Sequence, residues 1–296
     1  MQLAVTLNQI ESIGPFRRSG ADVFVVGVHG LTHRFGQTFS LETLSAVQTN
    51  IHAAGGVMWV ALNGLYHPKQ LPLLEATLDA LAKTPPTRIL FADTAVYVLA
   101  KARGLANRLI YHSETYVSAA ADLFFWQEQG IAGVVPGRET TLTDLLQMGS
   151  MTPLPLTWVG HGYINMFHSR RPLIHHYLDH TGFGNQDAFN AKPLDLYETT
   201  REEAFPILED VYGTHIFRAK PLASFQELPK LLPILETMII QSLFMSQEEV
   251  MAIISDYRSG LDGAELGPLI DRYQGLCDSG FYYKETVLEK QREVKV

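Results

Sequence analysis

The sequence predicts an α/β fold: a TIM-like (β/α) barrel with a loop-rich insertion after the seventh strand. Three observations carry this expectation. Short apolar, β-branched runs alternate with amphipathic stretches of helical length almost from the first residue. The repeat is roughly 25 residues, the length that a parallel strand–helix–strand crossover needs. About eight such strands can be counted in the 296 residues, enough to close a barrel. No glycine-rich phosphate loop follows the first strand, which weakens the doubly wound, dinucleotide-binding alternative.

The elements follow in order. Leu3–Leu7 reads as a strand, and Ile10, Ile13 and Phe16 space a short helix that Gly20 stops. Asp22–Val28 is a buried-type strand, and residues 31–38 are loop. Ser40 caps a helix reaching Ala54, where Gly55-Gly56 ends it. Strands are expected at 57–62, 88–91, 109–112, 133–135 and 154–159. Helices are expected at 67–82, 95–103, 118–129 and 141–148, with Asp93 or Thr94 capping the second of these. Residues 160–222 break the rhythm. They are rich in His, Gly, Pro and Asn and carry extended pieces such as Gly213–Phe217. A helix over 222–235, a strand at 237–243 and a Ser246-capped helix over 247–258 complete the pattern. The chain therefore divides into a barrel over 1–260, holding the 160–222 insertion, and a polar, helical C-terminal extension over 261–296.

Composition narrows the function. Hydrophobic residues make up 46% and charged residues 18%, which excludes global disorder. The net charge of −8 argues against a chain-wide electrostatic grip on nucleic acid, though not against a local basic groove. Cys277 is the only cysteine, so one chain can form neither a disulfide nor a cysteine-held zinc or iron–sulfur site. Met1–Asn8 reads as a strand rather than a signal peptide, and no apolar stretch approaches a membrane span. A cytoplasmic protein without a membrane partner is expected.

In a barrel, chemistry sits where strands end. Those positions hold His29, His33 and Arg34; Asn63, with Tyr66, His67 and Lys69 beyond it; Asp93; His112-Ser113-Glu114; Arg138-Glu139; and His161, followed by His168, Arg170 and Arg171. Neighbours on a strand face opposite ways, so His112, Ser113 and Glu114 cannot form one triad. His112 and Glu114 are either an acid/base pair or part of a hydrogen-bond network closing the mouth. Arg138 suits an anionic substrate group, or a structural ion pair with Glu114 or Asp93. The candidate catalytic set is His112, Glu114, Arg138 and Glu139; Asn63, His161, His168 and Arg170 are candidate substrate contacts. His176 and His180 have zinc-ligand spacing but no certain third ligand, so no metal site is assigned.

The interrupted region carries a resemblance. Residues 159–173, Val-Gly-His-Gly-Tyr-Ile-Asn-Met-Phe-His-Ser-Arg-Arg-Pro-Leu, resemble the signature of the collagenase-like protease family, peptidase family U32. Residues 19–27 (Ser-Gly-Ala-Asp-Val-Phe-Val-Val-Gly), 60–63 (Val-Ala-Leu-Asn), 112–115 (His-Ser-Glu-Thr) and 137–139 (Gly-Arg-Glu) follow in the family's order. The stretch 208–217 with 220–222 (Lys-Pro-Leu) is the nearest local match. The resemblance spans about residues 1–260. It implies a barrel and, in the tRNA-, rRNA- and quinone-hydroxylating members, an iron–sulfur cluster held by four cysteines. Here the first two of those positions hold Asn165 and Pro172 with the six-residue spacing kept, the third falls near Ala188-Phe189, and the fourth falls at Ala223. The family's charged pair is replaced within residues 240–245, Ile-Gln-Ser-Leu-Phe-Met. The resemblance therefore implies no cofactor in this chain and an iron–sulfur cluster only in a partner. It implies a cluster-free subunit pairing with a longer, cysteine-bearing member in tRNA wobble-uridine 5-hydroxylation, with tRNA reached through the complex. The alternatives are a peptidase, as the family name implies, or a cluster-free barrel enzyme acting on a small anion. The sequence holds no HExxH helix and no GxSxG elbow, so peptidase chemistry has no motif behind it.

Overall fold

The computed structural model describes residues 1–182, 194–199 and 203–284. Seven strands come first: β1 (Gln2–Thr6), β2 (Val23–Gly27), β3 (Val57–Leu62), β4 (Arg88–Phe91), β5 (Leu109–Tyr111), β6 (Gly133–Val134) and β7 (Leu156–Gly162). Between them run α1 (Ile13–Ser19), α2 (Leu41–Ala53), α3 (Leu71–Lys83), α4 (Thr94–Lys101), α5 (Ala120–Glu128) and α6 (Leu142–Met151). A cap follows, built from β8 (Asn165–Ser169), α7 (Leu173–Thr181), β9 (Leu194–Tyr197), β10 (Ala204–Asp210) and β11 (Gly213–Phe217). The chain returns through β12 (Leu222–Ala223) and α8 (Leu228–Leu231) to β13 (Leu235–Ile240), then α9 (Gln247–Leu261) and α10 (Gly267–Tyr273).

β13 is the eighth barrel strand. It pairs in parallel with β1, Leu3 opposite Met238, and with β7, Trp158 also opposite Met238. Val134 opposite Leu156 joins β6 to β7 and closes the ring. The cap is a separate antiparallel sheet in the order β8-β11-β10-β9.

Strand alternation sorts the core into two layers. Ala4, Val25, Trp59, Ala61, Leu90, Ile110 and Ile239 fill the barrel interior. The residues between them, among them Leu3, Val5, Val26, Val60, Ile89 and Phe91, face the helices. All of these are at most 3% exposed, and each large side chain so buried contributes about 1.5–3 kcal/mol.

The caps expected at α4 and α9 form. Asp93 accepts from the Ala95 N–H at 2.9 Å, and Ser246 and Glu249 make a reciprocal capping box. The helix expected over 222–235 does not form. Pro229 and Pro233 lack the N–H that helix interiors need, so the segment breaks into β12, the four-residue α8 and the start of β13. The eighth strand starts at Leu235 rather than 237 and ends at Ile240 rather than 243, because Ser242 turns to bond Thr6 Oγ1 through its N–H at 2.8 Å. The seventh strand likewise runs over 156–162 instead of 154–159, extended by antiparallel pairing of His161 with Ala223.

Among the described residues of the C-terminal extension, α10 is followed by isolated bridges and turns. Tyr282 is 3% exposed. Its hydroxyl accepts from Trp158 Nε1 at 2.7 Å and lies 2.7 Å from Ser224 Oγ, tying the segment to β7 and β12. No helix among the described residues is long and apolar enough to cross a membrane.

Candidate functional site

The C-terminal ends of the barrel strands meet under the cap. There a cleft of roughly 550 Å³, partly open to solvent, is lined by Arg34, His112, Glu114, Arg138 and Asn165 against apolar walls that include Trp158, Ile164 and Phe217. Each polar group arrives on a different loop. Arg34 stands in the loop after β2. Thr32 pins that loop by accepting from the Val28 N–H at 2.7 Å, and Asn63 at the end of β3 pins it by accepting from the His33 N–H at 3.2 Å. His112 and Glu114 follow β5, and Arg138 follows β6.

Glu114 is the hub. One carboxylate oxygen accepts from Arg34 Nη2, and the other accepts from Arg138 Nη1 at 3.1 Å. Both guanidiniums also reach Asn165 Oδ1, Arg138 at 3.3 Å and Arg34 at 3.4 Å. The Asn165 amide donates to the carbonyls of Phe167 and Ile216 at 3.0 and 3.2 Å, so the cap sheet presents its oxygen to the arginines. Arg34 and Glu114 both adopt left-handed backbone conformations, φ 59° and 69°. For residues other than glycine that geometry costs free energy of order 1 kcal/mol or more and persists only where surrounding contacts impose it. Here the Arg34 N–H donates to Asp210 Oδ2 at 3.0 Å, and the Glu114 carbonyl accepts from the Arg138 N–H at 2.9 Å.

Electrostatics follow from burial and pairing. Burial pushes the Glu114 carboxyl up, but neighbouring cationic charge, that of Arg34 first and Arg138 with it, outweighs burial and holds the group below its ordinary value. Burial depresses Arg34, against the pull of Glu114. Burial also lowers His112, again against Glu114, so the ring is neutral near pH 7. Two guanidiniums against one carboxylate leave the cleft with a net positive charge. Two guanidiniums in a partly desolvated pocket suit a carboxylate or phosphate oxygen.

The structure thus brings His112, Glu114 and Arg138 together. Glu139 is exposed and lines a neighbouring depression with Glu114, Thr115 and Ser118. Asn63 is 5% exposed and spends its amide on the His33 backbone, donating to the carbonyl at 3.5 Å as well as accepting. His168 sits on the cap sheet and donates from Nε2 to the Tyr212 carbonyl at 3.1 Å. Arg170 donates to the Leu65 carbonyl at 3.0 Å, clipping the cap to the loop after β3. His161 lies outside the cleft. It is 1% exposed, between β7 and α9, edge-on to Tyr257 and Phe225, and burial lowers its pKa to about 3. The Ser113 hydroxyl accepts from the Tyr116 N–H at 3.0 Å, in a turn.

In the sequence Arg34 stands at a strand end with nothing to single it out, and Asn165 reads only as a vacated ligand position. The signal for Arg34 was the strand-end rule itself. The partnership with Asn165 spans 131 residues of sequence and leaves no local trace.

Of the positions that the resemblance assigns to cluster ligands, Asn165 has both ends of its amide engaged. Pro172 precedes α7, Ala223 pairs with His161 in β12, and 188–189 lie outside the described residues. Cys277 is half-buried and its thiol is pushed up to about 11 by burial. These side chains do not fit a thiolate-held cluster.

Fold and site together define an eight-stranded (β/α) barrel with a charged cleft at its C-terminal mouth, covered by an inserted sheet. The chain belongs to peptidase family U32, whose pattern matches residues 8–275. It is 25% identical to tRNA hydroxylation protein P2 of Bacillus subtilis (strain 168), over 97% of this chain and 98% of that protein. It is 22% identical to tRNA hydroxylation protein P1 of the same organism, over 82% of this chain and 58% of that longer protein. Among solved structures, the U32 peptidase Mk0906 aligns with a TM-score of 0.47 at 15% identity, covering 81% of this chain and 92% of that one. A thiamine phosphate pyrophosphorylase from Pyrococcus furiosus aligns with a TM-score of 0.49 at 9% identity, over 88% and 95%.

Proposed function

We propose that this chain is a cluster-free subunit of a tRNA-hydroxylating system, acting beside a longer, cysteine-bearing U32 relative. The observation that carries the reading is the end-to-end similarity to a protein named for tRNA hydroxylation, together with the partial similarity to its longer namesake. The chemistry of the cleft agrees. Asn165 stands where the resemblance puts a cluster ligand, and it is bonded instead into the Arg34–Glu114–Arg138 network. Any iron–sulfur chemistry then belongs to the partner, and this chain supplies a positively charged mouth. In that mouth Arg138 and Arg34 hold an anionic group, and Glu114 orients both. Neutral His112 stands by as a proton acceptor, and Glu139 lies at the rim. The target within tRNA is the wobble uridine, hydroxylated at carbon 5, and the work is cytoplasmic because its substrate is. With a net charge of −8, tRNA contact through the complex is favoured over a grip by this acidic chain alone.

The test joins genetics to purification. Deleting the gene in its host should remove or sharply lower the hydroxylated uridine measured by mass spectrometry of digested tRNA. The tagged chain should co-purify with an iron-bearing, longer relative. Unchanged tRNA in the deletion strain, with the chain recovered alone and colourless, would overturn the proposal. The paired guanidiniums would then favour the second reading, a barrel enzyme acting on a small carboxylate or phosphate.

A further inference from the structure

Three histidines outside the cleft converge from three parts of the chain. His33 comes from the loop after β2, His168 from β8 and His215 from β11. His168 and His215 are directly opposite each other across the β8–β11 ladder, and their rings stack at 4.6 Å. The His33 ring stands edge-on to both, at 5.8 and 5.6 Å. One ring nitrogen from each lies within 4.8 Å of the others. His215 is fully buried and His33 is 4% exposed, yet Nδ1 of each has no hydrogen-bond partner. Buried polar atoms in folded proteins are nearly always satisfied, so two orphans within one cluster ask for a partner.

The outer contacts set the tautomers. Asp210 accepts from His215 Nε2 at 3.1 Å, and the Tyr212 carbonyl accepts from His168 Nε2 at 3.1 Å. Both rings therefore carry their proton on Nε2 and keep the Nδ1 lone pair free. A carboxylate or carbonyl behind each imidazole is the usual support of a metal-ligating histidine. The single lone pair of neutral His33 is taken up by Arg34 Nη2, 2.8 Å from Nε2. Arg34 has Glu114 and Asn165 as its other partners and can release the ring without losing them.

We propose that His33, His168 and His215 form a binding site for a divalent transition-metal ion, zinc above all, that clamps the cap sheet to the barrel loop. Three neutral imidazoles without thiolate suit zinc, cobalt(II), nickel or copper(II) over magnesium or calcium. Tetrahedral zinc with bonds of about 2.1 Å sets its ligand nitrogens roughly 3.4 Å apart, a contraction that ring rotations can supply. The fourth position falls to water, and half-buried His168 provides the way in. Loading the site takes the His33 lone pair from Arg34 and leaves that guanidinium to Glu114 and Asn165. The ion thereby communicates with the cleft.

Titration of the chelator-stripped full chain with zinc chloride, followed by calorimetry, tests this. One ion per chain is expected, with at least a tenfold loss of affinity in His168→Gln and His33→Gln. Asp210→Asn should lose about ten- to a hundredfold. The double variant His176→Ala/His180→Ala on α7 should bind as the parent does. Cobalt(II) in the unaltered chain should give the intense visible bands of a four-coordinate site, a readout that needs no variant to fold. No uptake by the natively folded chain, a pale six-coordinate cobalt spectrum, or binding lost in the α7 variant but kept in His168→Gln would overturn the proposal.

Discussion

Glu114 holds two guanidiniums that would otherwise repel each other across the cleft. Glu114→Gln removes the shared charge and leaves Arg34, 11% exposed at its side chain, without the carboxylate it pairs with. Breaking a largely buried pair from one side should cost about 2–4 kcal/mol, with the partial exposure keeping it below the full buried value. Urea unfolding checks this; an unchanged midpoint would show that solvent already screens the pair. His161 gives a pH prediction. Its folded pKa of about 3 lies below the ordinary value of 6.5, so between those values the unfolded chain binds the extra proton. Stability should therefore be complete above pH 6.5 and fall as the pH drops towards 3, by up to roughly 1.4 kcal/mol per pH unit. His161→Phe should flatten that slope in denaturant titrations at successive pH values. At this scale the sequence made Glu114 and Arg138 legible, because a strand-end position is a local property. It could not reveal that Asn165 bridges the arginines or that His161 turns away from the mouth. The register shift near Gly160 that redirects the end of β7 depends on its pairing with β13, far along the chain.

At the scale of elements, the cap sheet is the part that local sequence described least. The extended stretch 213–217 was readable as β structure, and it forms β11. Apolar periodicity predicts a helix over 222–235, but two prolines within it lack the donors a helix interior needs, and they decide the outcome. The tight turn between β10 and β11 depends on Gly213. Its φ of +117° is closed to most side chains, and a Cβ there would overlap the Ser169 carbonyl oxygen and stand 2.7 Å from Arg170 Cα. Gly213→Ala should therefore loosen β8 from β11 while the barrel stays folded. Limited proteolysis should cut within the cap of the variant, with far-ultraviolet dichroism little altered. Cutting in the barrel first would mean that the cap is required for barrel folding.

Across the whole molecule, the β-α rhythm announced the barrel because each unit buries its own apolar strand under its own helix. What the rhythm could not announce was the long-range closure, in which the polar segment near the C-terminus reaches back to β7. Tyr282 supplies it through Trp158, whose indole also walls the cleft. Tyr282→Phe leaves the indole N–H and Ser224 with one partner fewer and should cost about 1–3 kcal/mol in urea unfolding. A cost confined to a few tenths would mean that water replaces the hydroxyl.

The ring has one thin stave. β6 is two residues long, and its ladder to β7 rests on the single pair Val134–Leu156. Few ladder hydrogen bonds hold the backbone there, so deuterium should enter this seam before it enters β1–β3. Hydrogen–deuterium exchange read by mass spectrometry would display that order. Arg138 follows β6 by four residues, so opening at this stave would shift one of the two guanidiniums and with it the width of the mouth.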